Sequence, residues 1–105
     1  MMTKNILTLG ISKDEIKHIA LDREKNLFTA RTIRDVELAL DVEDEIDTIL
    51  LDSHFSKCIE KELRTILGLT PPTTQIVLHY HAEDKLDLDR LRQLGIKLIQ
   101  VPLIE

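Results

Sequence analysis

Short apolar runs alternate along this chain with longer stretches in which apolar residues recur every three or four positions. Each run has the length of a buried strand, and each longer stretch has the period of an amphipathic helix. Strands that alternate with helices typically form a parallel sheet covered by helices on both faces. The predicted strands lie at 6–9, 27–30, 48–51, 75–80 and 96–101.

The helical stretches carry recognisable start and stop signals. Ser12 and Glu15 have the spacing of a capping box, in which the two side chains satisfy backbone N–H groups at a helix start. Gly68 and Gly95 follow apolar stripes and predict helix ends, because glycine readily adopts the left-handed conformation that terminates helices. The four predicted helices begin at Ser12, Thr32, just after Ser56, and at about Asp84. The residues expected to face the core are Ile16, Ile19, Ala20, Ile33, Val36, Leu40, Ile59, Leu63, Ile66, Leu67, Leu88, Leu91 and Leu94.

Length and charge limit the possible functions. The 105 residues are enough for one domain, spanning 1–105, with its own apolar core. The net charge of −5 disfavours a nucleic-acid binder, because affinity for DNA comes mostly from basic residues that neutralise phosphates. The single cysteine, Cys58, cannot form an internal disulfide, and no apolar leader opens the chain. We therefore expect a cytoplasmic protein.

Membrane association and common enzymatic chemistries are also disfavoured. The apolar runs are far shorter than the roughly 20 residues of a membrane-spanning helix. The chain has only three glycines, with neither a glycine-rich phosphate loop nor the turn that presents a catalytic serine in hydrolases. The sequence thus predicts a protein that is not an enzyme and needs no cofactor.

Four segments resemble the receiver domain of two-component response regulators. Thr29 and Ala30 with the Glu-Leu-Ala-Leu run at 37–40 match the family's second strand and helix, and 47–52 matches its third strand. The segment 95–102 matches the family's glycine, fifth strand and following proline. The resemblance covers nearly the whole chain and implies a flavodoxin-like (CheY-like) three-layer α/β fold. Its parallel sheet would have the strand order 2-1-3-4-5.

The resemblance also implies a site that has lost most of its chemistry. In receivers a histidine kinase transfers a phosphoryl group to the aspartate that Asp52 matches, and Mg²⁺ is held by an acidic pair that here reads Gly10-Ile11. The switch threonine or serine falls on His79, and the lysine falls on Val101. The resemblance therefore implies a pseudo-receiver, a non-catalytic signalling module that acts through protein–protein contacts. The alternative is a phosphoacceptor that still uses Asp52.

Two further interpretations concern the strand ends. Asp52 alone can act as a cap that accepts from backbone N–H groups at the start of the next helix. His79 and His81 alternate at the end of the fourth strand, beside Asp52 and His54 at the end of the third. Imidazoles with a carboxylate are ligands for Zn²⁺ or a similar metal, and histidines can also respond to pH. A metal- or ligand-binding regulator is therefore a third possibility.

The sequence leaves little room for the helix that follows the fifth strand in receivers. The apolar strands would then have an uncovered face or edge, and apolar patches of that size usually mark interfaces. We expect another protein, or a second copy in a homodimer, to cover it. The alternative is that the chain rearranges, with the third helix or the C-terminal tail lying across the gap. The residues expected at this interface are Leu98, Ile99, Val101 and Leu103.

Overall fold

A computed structural model describes residues 4–11, 25–42 and 46–101. The helix predicted from Ser12 and the interface residue Leu103 lie outside these ranges. Five strands form one parallel sheet of order β2-β1-β3-β4-β5. This confirms the predicted flavodoxin-like arrangement. The strands are β1 (Lys4–Leu9), β2 (Lys25–Ala30), β3 (Thr48–Asp52), β4 (Gln75–His81) and β5 (Lys97–Val101).

Three α-helices and one 3-10 turn connect the described strands. They are α1 (Ile33–Val42), the 3-10 turn Ser53–Phe55, α2 (Ile59–Leu69) and α3 (Leu88–Gln93). Each α-helix contributes to the larger apolar cluster, through Val36 of α1, Leu63 of α2 and Leu91 of α3. Since this cluster also holds Leu51 of β3 and Leu78 of β4, the three helices cover the same face of the sheet.

The central strands are buried on both faces. In β3, Ile49 and Leu51 belong to the larger cluster, whereas Leu50 between them belongs to a smaller cluster with Ile6 and Val77. Successive side chains of a strand point to opposite faces, so a run without polar interruptions fits a strand covered on both sides. This burial explains why the apolar runs identified the strands so directly.

Helix α1 starts where the sequence predicted, with Thr32 directly before its first residue. The Thr32 hydroxyl accepts from the Asp35 backbone N–H at 3.2 Å, and the Asp35 carboxylate accepts from the Thr32 N–H at 3.2 Å. This reciprocal pair has the form of a capping box, with aspartate in the place of glutamate. A further hydrogen bond from the Arg31 backbone N–H is the main cause that lowers the pKa of Asp35 below its ordinary value.

Two predicted helix boundaries were wrong. Helix α2 continues through Gly68 to Leu69, and Gly68 does not adopt the left-handed conformation that the prediction required. Helix α3 begins at Leu88 rather than near Asp84, and the Asp87 side chain caps it by accepting from the Arg90 N–H. The prediction for Gly95 is correct, because its φ is +88° directly after the end of α3.

In the part of the chain that the structure describes, no helix combines the length and the apolarity that crossing a bilayer requires.

Candidate functional site

The candidate site lies at the carboxyl ends of β3 and β4, the edge at which open α/β sheets usually bind ligands. Asp52 is the last residue of β3, and its backbone pairs in register with His79 of β4. His81 is the last residue of β4, two positions beyond His79 and next to the loop that follows the strand. The parallel arrangement therefore brings the carboxylate of one strand and the imidazole of the next to the same edge.

Asp52 is held in place by the turn that follows it. Its Oδ1 accepts from the His54 backbone N–H at 2.8 Å and so caps the 3-10 turn. The residue is only 8% exposed, because the sheet and the turn enclose it. The capping interpretation of Asp52 is therefore correct, and the cap also fixes where the carboxylate points.

The two histidines close over this carboxylate. His81 Nε2 lies 3.3 Å from both oxygens of Asp52. The His54 ring stacks on the His81 ring, with centroids 3.9 Å apart and planes inclined by 6°. His54 is the more exposed of the two, at 57% of its side chain against 19% for His81.

Asp84 completes the group from the loop after β4. Its Oδ2 accepts from the Ser53 hydroxyl at 2.5 Å and from the His81 backbone N–H at 2.7 Å. Its Oδ1 lies 3.3 Å from His54 Nε2. Burial alone would raise the pKa of Asp84, but these hydrogen bonds and the nearby His54 together lower it below its ordinary value. Asp84 thus remains a carboxylate acceptor at neutral pH.

The structure brings together three of the four residues predicted to form a metal site. Asp52, His54 and His81 each place one ligand atom within 4.8 Å of the others. His79 is not part of this group, although it lies in register with Asp52. Asp84 was interpreted only as a helix start or a cap, and its place beside His54 was missed. The available signal was an aspartate in the short polar stretch directly after β4, since aspartate is a common turn residue.

Gly10 and Ile11, compared above with the acidic pair of receivers, directly follow β1, the strand beside β3. Gly10 follows β1 with a φ of +73°, and a Cβ placed there would come within 3.0 Å of the Phe55 Cβ. Ile11 packs against the smaller apolar cluster. Neither residue offers an oxygen ligand from its side chain, and Phe55 lies in tight contact with the place where a side chain from position 10 would begin.

Three of the predicted interface residues can be placed on β5. Val101 is 6% exposed within the single chain. Leu98 is partly buried against the larger apolar cluster, and Ile99 against the smaller one. Strand β5 is an edge of the sheet, with β4 as its neighbour. Lys97 and Gln100 of this strand are exposed.

No family model matches the chain, and no curated protein matches it. Among solved structures, the chain is similar to the crystal structure of the lysine decarboxylase LdcF from Francisella novicida, with a TM-score of 0.61 and 14% identity. The similarity covers 95% of this chain but 15% of that one. The chain therefore spans a small part of the decarboxylase, and the likeness establishes the fold alone.

Proposed function

We propose that this protein is a receiver-like signalling module that acts through protein–protein contacts and has no phosphoryl-transfer activity. The observation that carries the proposal is the state of Asp52. Its side chain is 11% exposed, caps its own turn and faces the His81 imidazole through both oxygens. A phosphoacceptor must instead present an oxygen to the incoming phosphoryl group.

Among the described residues, the positions that match the receivers' magnesium ligands and lysine hold no side chain that would neutralise a transferred phosphoryl group. Mg²⁺ prefers oxygen ligands in a nearly octahedral arrangement, and the side chains of Gly10 and Ile11 provide none. Phosphoryl transfer depends on cations that stabilise the charge developing on the phosphate oxygens. Val101 cannot supply that charge, and His79 lacks the small hydroxyl of the family's switch position.

The test is phosphorylation by a small-molecule donor. Wild-type protein incubated with acetyl phosphate and Mg²⁺ is expected to keep its unmodified mass, because Gly10 and Ile11 offer no magnesium ligands to assist attack by Asp52. Intact-protein mass spectrometry measures the outcome, with an active receiver domain treated in parallel as the positive control. An added phosphoryl group in the wild type that is absent from Asp52→Asn would contradict the proposal and support the phosphoacceptor alternative.

The partner surface that we propose is the β5 edge. An edge strand presents unpaired backbone groups, which readily pair with another strand unless they are blocked. Because Val101 is already buried within the chain, the contact rests on the backbone of β5 with the partly buried Leu98 and Ile99 beside it. We commit to a second copy of this chain as the partner, in a homodimer in which two β5 edges meet.

Light scattering behind size exclusion tests the homodimer. Over a wide range of protein concentrations, the wild type is expected to show twice the mass of the chain. Gln100→Lys adds a charge to the exposed edge, and we expect it to shift the protein towards monomer because like charges would oppose each other across the contact.

Gln93→Lys is the matched control for that experiment, since it makes the same exchange at an exposed position on α3. It should leave the dimer intact. A monomer at all concentrations, or equal effects of the two substitutions, would contradict self-association through β5.

A further inference from the structure

The histidines at the edge of the site carry an inference beyond the proposed function. We propose that Asp52, His54 and His81 form a binding site for Zn²⁺ or a chemically similar divalent transition metal, with Asp84 available as a fourth ligand. This site is distinct in ligands and in metal preference from a magnesium site made of carboxylates. The inference does not depend on the signalling role.

The ligand atoms of Asp52, His54 and His81 lie within 4.8 Å of one another, and two separations in the group are close to those of neighbouring metal ligands. His81 Nε2 lies 3.3 Å from both Asp52 oxygens, and His54 Nε2 lies 3.3 Å from Asp84 Oδ1. An N–H···O hydrogen bond is usually about 2.9–3.0 Å long. Neighbouring ligand atoms around a tetrahedral zinc ion, with bonds of about 2.0–2.2 Å, are roughly 3.3 Å apart.

Both carboxylates are oriented by hydrogen bonds from the protein. Asp52 Oδ1 accepts from the His54 N–H. Asp84 Oδ2 accepts from Ser53 and from the His81 N–H, while its Oδ1 faces His54. Such outer hydrogen bonds fix the orientation of metal ligands and reduce the cost of assembling a site. The two carboxylates are therefore already oriented before a metal binds, whereas the imidazoles must still move.

The charge of the group also favours a cation. With neutral imidazoles, Asp52 and Asp84 carry two negative charges close together. Among the described residues, neither carboxylate forms an ion pair with lysine or arginine, and the rings that face them are those of His81 and His54. A divalent ion would balance the two carboxylates, and its affinity would fall at acid pH because the ligands must be deprotonated.

The types of ligand define which metals suit the site. Imidazole nitrogens combined with carboxylate oxygens suit zinc and its neighbours in the transition series, whereas Mg²⁺ prefers oxygens and retained waters. The stacked rings must tilt apart from their 6° inclination for both nitrogens to face one ion. His54 can do so because 57% of its side chain is exposed. The same exposure leaves room for a water ligand.

Isothermal titration calorimetry of the full chain with Zn²⁺ at neutral pH tests the proposed site. The wild type is expected to bind one Zn²⁺ and no Mg²⁺. His54→Ala and His81→Ala should each weaken zinc binding at least tenfold. His79→Ala is the matched control, since it removes an imidazole from the same strand but not from the cluster, and it should keep the wild-type affinity.

Two additional measurements keep the result interpretable. Melting curves in the presence of a chelator establish whether each variant folds. If one of the histidine variants does not fold, Asp84→Asn takes its place in the titration. The visible spectrum of Co²⁺-loaded wild type should show the intense bands of a tetrahedral site with nitrogen and oxygen ligands. The absence of zinc binding by the wild type, or an equal loss of affinity in His79→Ala and His81→Ala, would overturn the proposal.

Discussion

Replacing Leu51 by alanine is expected to lower the free energy of unfolding by about 2–5 kcal/mol, the usual range for a buried leucine. Leu51 is fully buried in β3, which lies in the middle of the sheet. Its backbone pairs in register with Leu9 of β1 and Leu78 of β4, both also fully buried. Because packed elements surround the site, it cannot collapse to fill the cavity. Urea denaturation followed by circular dichroism measures the loss.

Leu38→Ala makes the same exchange at an exposed position on α1, where 53% of the leucine is accessible to solvent. It should change stability by no more than about 0.5 kcal/mol, as is usual for surface substitutions. The denaturant slope should be similar in both variants if each unfolds in two states. Comparable losses at Leu38 and Leu51 would contradict the core described here.

The strands could be predicted because one physical cause dominates them. Residues 49–51 are apolar without interruption since neighbouring side chains enter opposite apolar clusters. The order of the strands came from the resemblance to receivers rather than from the pattern itself. The fold prediction therefore combined a pattern of burial with an analogy.

Helix boundaries were harder because a single residue type can serve several roles. Gly68 follows an apolar stripe, but the last backbone hydrogen bond of α2 runs from Thr70 N–H to the Ile66 carbonyl and carries the helix past the glycine. Asp84 and Asp87 are both suitable caps, and the contact of Asp84 with Ser53 and His81 leaves Asp87 to begin α3. Such choices depend on residues distant in sequence.

Three of the four residues of the site followed from the strand-end rule, and Asp84 did not. Asp52, His54 and His81 were predicted together because they lie at or just beyond the ends of adjacent strands. His79 was included because it alternates with His81. Alternation indicates a shared face of the strand, but it does not specify which position along β4 reaches the other ligands. The role of Asp84 depends on a loop whose turn is stabilised by its own side chain. That geometry is hard to infer from one sequence.

Gly10→Ala is expected to destabilise the protein by about 1–3 kcal/mol, the cost of placing a residue with a side chain in the left-handed region. The φ of Gly10 is +73°, and the added Cβ would approach the Phe55 Cβ to 3.0 Å, so Phe55 or the backbone must move. Any larger side chain begins with the same Cβ. An aspartate at position 10 therefore would not by itself restore a magnesium ligand without disturbing Phe55.

Gly68→Ala is expected to have the opposite effect on the stability of the protein. Gly68 lies inside α2 with no atom within 4 Å of an added Cβ, so alanine should stabilise the protein by about 0.5–1 kcal/mol. Chemical denaturation of both variants under identical conditions gives the comparison. If Gly10→Ala were as stable as the wild type, the left-handed turn after β1 would be incorrect. Phe55 would then not prevent an acidic residue from occupying position 10.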